Sequence, residues 1–152
     1  MDHRWAPLAP KEAAAELREL PIRWWVAGGW AADLHSGRQT RPHGDMDIAV
    51  LRSEHEALRT YLAGWDLQIA YGGRLRPWRN GAVGPPENAV WARPDAGGPW
   101  WLDIKIELSE GGEWVYRRNP RVRRPLESIG RTSTDGIPYL DPEIVSLYGR
   151  RR

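Results

Sequence analysis

The 152-residue chain contains no cysteine, which excludes disulfides, thiolate zinc sites and cysteine nucleophiles. Phenylalanine is also missing, so aromatic packing falls to 10 tryptophans and 5 tyrosines, whose rings carry a hydrogen-bond donor on an apolar body. Of the 22 basic residues only Lys11 and Lys105 are lysines, and 20 acidic residues leave a net charge of +2. That mild balance does not by itself point to a polyanionic partner, and the arginine bias is read as base composition of the coding sequence. No apolar run approaches the length of a membrane span. The N-terminus, MDHRWAPLAPKEAAAELREL, lacks the basic-then-apolar order of a signal peptide. These absences predict a soluble, cytoplasmic protein, and the length predicts a single domain over residues 1–152.

What is present begins with a helix over Lys11–Leu20, set between Pro10 and Pro21. IRWWVAGG then reads as a short buried strand running into a glycine turn. From Trp30, the spacing of Trp30, Ala31 and Leu34 predicts a helix stopped by Gly37. DMDIAVL is a strand with Asp45, Asp47 and Ala49 on one face and Met46, Ile48 and Val50 on the other. Ser53 and Glu56 have the spacing of a capping box, which predicts a helix ending near Gly64. Between Trp65 and Pro99, Gly and Pro break the chain into short strands and turns. WWLDIKIEL is the strongest alternating strand, placing Trp101, Asp103, Lys105 and Glu107 together and Leu102, Ile104, Ile106 and Leu108 opposite. EWVYRRNPRVRRPLESIG is basic and partly extended. Asp141 as N-cap, followed by Pro142, announces a short last helix.

The chemistry concentrates in the D-x-D of Asp45 and Asp47. Side chains two residues apart on a strand project in parallel, their α-carbons about 6–7 Å apart. Two anions so placed repel each other unless a positive charge lies between them. Magnesium is a hard cation held by one or two carboxylates and by substrate phosphates. A third carboxylate on a neighbouring strand would complete a two-metal site, and Asp103, set between Leu102 and Ile104, is the best candidate. The plainer alternative makes Asp45 a turn residue and leaves Asp47 and Asp103 on a solvated face. Gly28 and Gly29 stand between a strand and a helix, where backbone N–H groups can cradle phosphate, although such a turn can need glycine for its geometry alone.

The run GGWAADLHSGRQTRPHGDMDIAV, with its GGW opening at Gly28, Gly29 and Trp30, the Asp33 and Gly37 spacing, the R-x-H of Arg41 and His43 and the D-x-D, resembles the nucleotide-binding core of the aminoglycoside and lincosamide nucleotidyltransferases of the DNA polymerase beta-like superfamily. The likeness continues more loosely through Trp91, the strand bearing Asp103, Trp114 to Tyr116 and IPYLDPE. It implies an α/β (α+β) nucleotidyltransferase fold, a mixed twisted sheet flanked by helices. It also implies an enzyme that moves a nucleoside monophosphate, AMP foremost, from ATP or another nucleoside triphosphate to a hydroxyl of a small acceptor such as an aminoglycoside or lincosamide antibiotic. In this reading Asp45 and Asp47 bind magnesium, as two ions, and Asp103 is a third ligand or the base for the acceptor hydroxyl. Gly28, Gly29, Trp30, Arg41, His43 and Lys105 are the candidate nucleotide contacts.

Bland readings stand beside several of these. Arg41 could pair with phosphate or cap a carbonyl, His43 could be structural, Lys105 could pair with Glu107, and Trp24, Trp25 and Trp30 could pack the core. The R-x4-H of Arg38 and His43 has a ribonuclease spacing but falls in a loop. The chain departs from the family pattern after the PE-containing helix, where it ends in GRRR rather than a lysine-rich helical segment; a homodimer partner or a larger acceptor would fill the acceptor side. Two other readings are kept: a toxin-like nucleotidyltransferase acting on tRNA or a protein, with YRRNPRVRR as a phosphate-binding stripe, and a non-catalytic nucleotide-binding module.

Overall fold

A computed structural model describes residues 4–149, so the N-terminal MDH and the three closing arginines lie outside the described residues. The elements run α1 (Pro10–Glu16), β1 (Trp25–Val26), α2 (Gly28–Ser36), β2 (Asp47–Leu51), a 3-10 turn (Arg52–Glu54), α3 (His55–Tyr61), β3 (Asp66–Tyr71), β4 (Arg74–Pro77), β5 (Ala89–Arg93), β6 (Leu102–Glu110), β7 (Glu113–Val115), β8 (Arg123–Pro125), a second 3-10 turn (Leu126–Ser128), β9 (Gly130–Thr132), β10 (Pro138–Leu140) and α4 (Pro142–Gly149).

The strands form one sheet in the order β4-β3-β5-β6-β2-β1-β10-β9, with β7 paired to the far end of β6 and β8 paired to β7. It is mixed, because β2 runs parallel to β6 and β1 parallel to β10, while the other pairs are antiparallel. Alternation along β2 and β6 divides the molecule. Ile48, Val50, Leu102, Ile104 and Ile106 pack with Ala13 of α1, Leu17 just beyond it and Leu58 of α3 in one apolar cluster. Ala49 and Leu51, from the other face of β2, join Trp25, Trp114, Tyr116, Ile129, Leu140 and Ile144 in a second. The expected alternation is therefore observed within β2 and β6, and the carboxylates stand on the face away from the larger core, whereas Trp101, expected beside Asp103, precedes β6 and packs on that core.

Element ends differ from the sequence reading where local hydrogen bonding decides them. Helix α1 starts at Pro10, its N-terminus closed by the Ala9 N–H donating to the Glu12 carboxylate at 2.8 Å, and becomes turn after Glu16. Helix α2 begins at Gly28, so the paired glycines form its first turn rather than a turn before it, while Gly37 ends it in the left-handed region (φ 86°) as the pattern predicts. Strand β2 begins at Asp47, leaving Asp45 in the approach to it. The Ser53 capping box does not form: α3 follows a 3-10 turn and has no side-chain cap. At α4 the cap is as expected, with the Glu143 N–H donating to Asp141 Oδ1 at 3.0 Å. Among the described residues no helix is long and apolar enough to cross a membrane.

Candidate active site

The parallel register of β2 and β6 sets Asp47 beside Asp103, Ala49 beside Lys105 and Leu51 beside Glu107. Neighbouring strands lie about 4.8 Å apart, so two carboxylates distant in sequence become immediate neighbours. Asp45 bends in from the loop ahead of β2, and one oxygen each of Asp45, Asp47 and Asp103 lies within 4.8 Å of the others. Asp103 Oδ2 accepts from Lys105 Nζ at 3.2 Å. Asp103 Oδ1 and Asp47 Oδ1 are buried without any hydrogen-bond partner. Buried polar atoms are ordinarily paired, so two orphaned carboxylate oxygens in one cluster fit a hard divalent cation.

The electrostatics agree with that fit. Burial, reinforced by the Asp103 and Asp45 charges and only partly offset by Lys105, pushes the Asp47 carboxyl up to about 7. Burial likewise raises Asp103, against the pull of Lys105. Burial works against the Lys105 ammonium, yet the Asp103 and Asp47 carboxylates hold it above the ordinary lysine value. A cluster of three acids answered by one lysine carries negative charge that a bound cation would neutralise.

The two glycines serve this cluster sterically. Gly28 has φ +59°, and a Cβ there would lie 2.5 Å from Asp47 Oδ2. A Cβ at Gly29 would meet Arg41 Nη2 at 2.6 Å and His43 Nδ1 at 2.8 Å. The start of α2 is thus pressed onto Asp47 and onto the loop from Gly37 to Met46: at Gly28 the positive φ and the Asp47 contact both call for glycine, and at Gly29 a side chain would have to displace Arg41 and His43.

That loop is tied down by Asp33, a residue of α2. Its carboxylate accepts from Thr40 Oγ1 at 2.7 Å, from the Thr40 N–H at 3.1 Å and from His43 Nε2 at 2.6 Å. Hydrogen bonds from Thr40 and His43 pull the Asp33 carboxyl down to about 2. The His43 ring also rests on Trp30, centroids 4.4 Å apart. His43, held by Asp33 and resting on Trp30, thus braces this loop, and Arg41 is exposed and lines the cleft. Trp25 is buried in the second cluster, and Trp24 packs partly buried on the first, in accord with a core role.

The cleft has a volume of about 430 Å³ and continues from Gly28, Arg41, Asp47 and Lys105 to Arg117 and Arg118 and to two residues the sequence reading did not nominate, Glu107 and Tyr148. Glu107 shares a strand face with Asp103 and Lys105, so alternation alone signals it. Arg117 and Arg118 belong to the basic segment read as a possible RNA stripe, and the structure divides that segment. Those two face the cleft, whereas Arg123 pairs with Glu110 at 2.9 Å and Arg124 with Asp141 at 3.2 Å.

A family profile described as aminoglycoside-2''-adenylyltransferase matches residues 11–75, which hold the glycine pair, Arg41, His43 and the D-x-D. A 2''-aminoglycoside nucleotidyltransferase of Escherichia coli is 33% identical over 101 residues, and one of Klebsiella pneumoniae is 46% identical over 101 residues. Each alignment covers 64% of this chain and 50% of the relative, so the chain spans about half the length of the curated relatives it matches. The chain resembles the aminoglycoside and lincosamide nucleotidyltransferases. Among these nucleotidyltransferases, the crystal structure of the lincosamide antibiotic adenylyltransferase LnuA with lincomycin bound superposes with a TM-score of 0.59 at 18% identity, covering 91% of this chain and 82% of that one. ANT(2'')-Ia in complex with adenylyl-2''-tobramycin gives 0.54 at 16% identity, over 86% and 66%. The α+β fold with a mixed sheet and flanking helices is that of these nucleotidyltransferases.

Proposed function

We propose that the chain is a magnesium-dependent nucleotidyltransferase that moves a nucleoside monophosphate, AMP foremost, from a nucleoside triphosphate to a hydroxyl of a small antibiotic of the aminoglycoside or lincosamide type. The observation that carries the reading is the cluster of Asp45, Asp47 and Asp103 with two orphaned buried oxygens, set against the glycine pair that opens α2. Similarity to nucleotidyltransferases over 64% of the chain supports the reaction class.

The three carboxylates would hold magnesium, which supplies Lewis-acid stabilisation of the attacking and leaving oxygens. The chain's own residues do the rest. The acceptor hydroxyl oxygen forms a bond to the α-phosphorus, the bond to pyrophosphate breaks, and the hydroxyl proton passes to Asp103, whose burial-raised carboxyl suits a base. Arg41 and Lys105 offset charge on the phosphates, and the N–H groups at the start of α2 add donors there. His43 and Asp33 position Arg41 by fixing its loop. The reaction belongs in the cytoplasm, where nucleoside triphosphates are made, and within a single domain.

Mass spectrometry of aminoglycosides and lincosamides incubated with the chain, magnesium and ATP tests this directly. The reading expects an acceptor heavier by one adenylyl group; unmodified acceptors across both classes contradict it. The tRNA reading is weaker, because Arg123 and Arg124, two of the five arginines in its basic stripe, are consumed in internal ion pairs.

A further inference from the structure

Glu107 lies four residues beyond Asp103 on β6, on the same face, which places it about 13 Å farther along the strand. It is only 2% exposed, yet its side chain lines the cleft. Trp114 Nε1 donates to its Oε1 at 2.9 Å, and Tyr148 Oη donates to the same oxygen at 2.6 Å. Both donors therefore converge on one oxygen and fix the carboxyl. Oε2 has no hydrogen-bond donor among the described residues and is not among their fully buried orphan atoms; it is the oxygen left to face the cleft.

The surroundings restrict what Oε2 can receive. Lys105, Arg117 and Arg118 line the same cleft, so a cationic ammonium group is repelled by its neighbours. An ionised phosphate offers only acceptor oxygens and so cannot donate to Oε2. A neutral N–H or O–H donor meets neither objection, and Ala32, Leu140 and Val145 supply an apolar wall beside it. The separation from the metal cluster exceeds the span of one phosphate and falls within that of a nucleotide.

We infer that Glu107 is a nucleoside-specificity residue, its Oε2 accepting a hydrogen bond from a neutral donor on the nucleoside, either an exocyclic amine of the base or a ribose hydroxyl. This rests on reading the cleft as the nucleoside triphosphate site. Trp114 and Tyr148 act through Glu107 as positioning residues.

Titration calorimetry of the full chain with magnesium and ATP, ITP, or 2'-deoxy- and 3'-deoxy-ATP tests it without any acceptor. ITP replaces the adenine amine by a carbonyl, and each deoxy form lacks one hydroxyl. A hydrogen bond to a charged group left unmade is expected to weaken binding about 10-fold or more, so one of the three analogues should bind at least that much more weakly than ATP. Glu107→Gln keeps an oxygen for Trp114 and Tyr148 and turns a donor toward the cleft. If the amine is the partner, the variant should reverse the preference toward ITP, and if a ribose hydroxyl is the partner it should shrink the discrimination, because a neutral amide donating to the hydroxyl oxygen replaces a bond to a carboxylate, with an unchanged melting temperature certifying the fold. Four ligands bound within 2-fold of one another by the wild-type chain would overturn the inference while leaving the proposed function standing, as would a Glu107→Gln variant with wild-type discrimination. Failure of the wild-type chain to bind any of the four would overturn both.

Discussion

Asp47 and Gly28 depend on each other: the carboxylate occupies space that any side chain at Gly28 would enter. Gly28→Ala is therefore expected to abolish nucleotidyl transfer, since the methyl group must displace Asp47 or the start of α2, and the glycine's positive φ penalises alanine further. Steady-state rates beside circular dichroism check this; an active Gly28→Ala enzyme would show that the close approach is dispensable. Burial that lifts the Asp47 carboxyl to about 7 also gives a pH prediction. The folded, metal-free chain holds a proton on Asp47 between the ordinary carboxylate range and about 7, whereas the unfolded chain does not. This group's contribution to stability therefore falls as pH rises through that window, and magnesium binding at pH 6 must expel a proton. Calorimetry at pH 6 in two buffers of different ionisation enthalpy should show proton release on binding magnesium, and equal heats in both buffers would contradict the assignment. Asp47→Asn removes the buried charge, so at pH 8 it is expected to raise the melting temperature of the metal-free chain while eliminating transfer.

At the level of elements, the site depends on two strands in parallel register and on one tethered loop. His43→Ala removes the 2.6 Å bond to Asp33 and the ring beneath Trp30, freeing the loop that carries Arg41. The expected result is a KM for nucleotide raised several-fold with a smaller effect on kcat; an unchanged KM would deny His43 its positioning role. Much of this was legible in the sequence. Within the strands the alternation of DMDIAVL and WWLDIKIEL assigned the side chains to their faces, because strand period is a local property; Trp101, which precedes β6, instead packs on the larger cluster. What sequence did not contain was the register that sets Asp47 against Asp103, which two separate strands fix only by packing. It also missed the extent of the cleft: Arg117 and Arg118 look like their neighbours Arg123 and Arg124 in sequence, and only the fold turns one pair inward and gives the other to Glu110 and Asp141. The Ser53 box failed because the chain leaves β2 through a 3-10 turn, moving the N-cap of α3 from Ser53 to Glu54.

The whole molecule places its chemistry on one face of a mixed sheet and its larger core on the other. Ile104, fully buried between Asp103 and Lys105 in sequence, anchors that separation. Ile104→Ala should cost about 2–5 kcal/mol in urea unfolding, and a loss below 1 kcal/mol would mean the core does not brace the site strand. The near-balanced net charge of +2 and the division of the basic segment predict that the KM for the acceptor varies shallowly with salt, whereas an RNA acceptor would weaken by orders of magnitude between low and moderate salt. The most direct test of the central claim is pyrophosphate release from ATP with magnesium and pooled aminoglycosides and lincosamides, the wild-type chain compared with Asp47→Asn. Release that requires both an acceptor and Asp47 is the predicted result; release that persists in Asp47→Asn, or none from the wild-type chain with either pool, would contradict it.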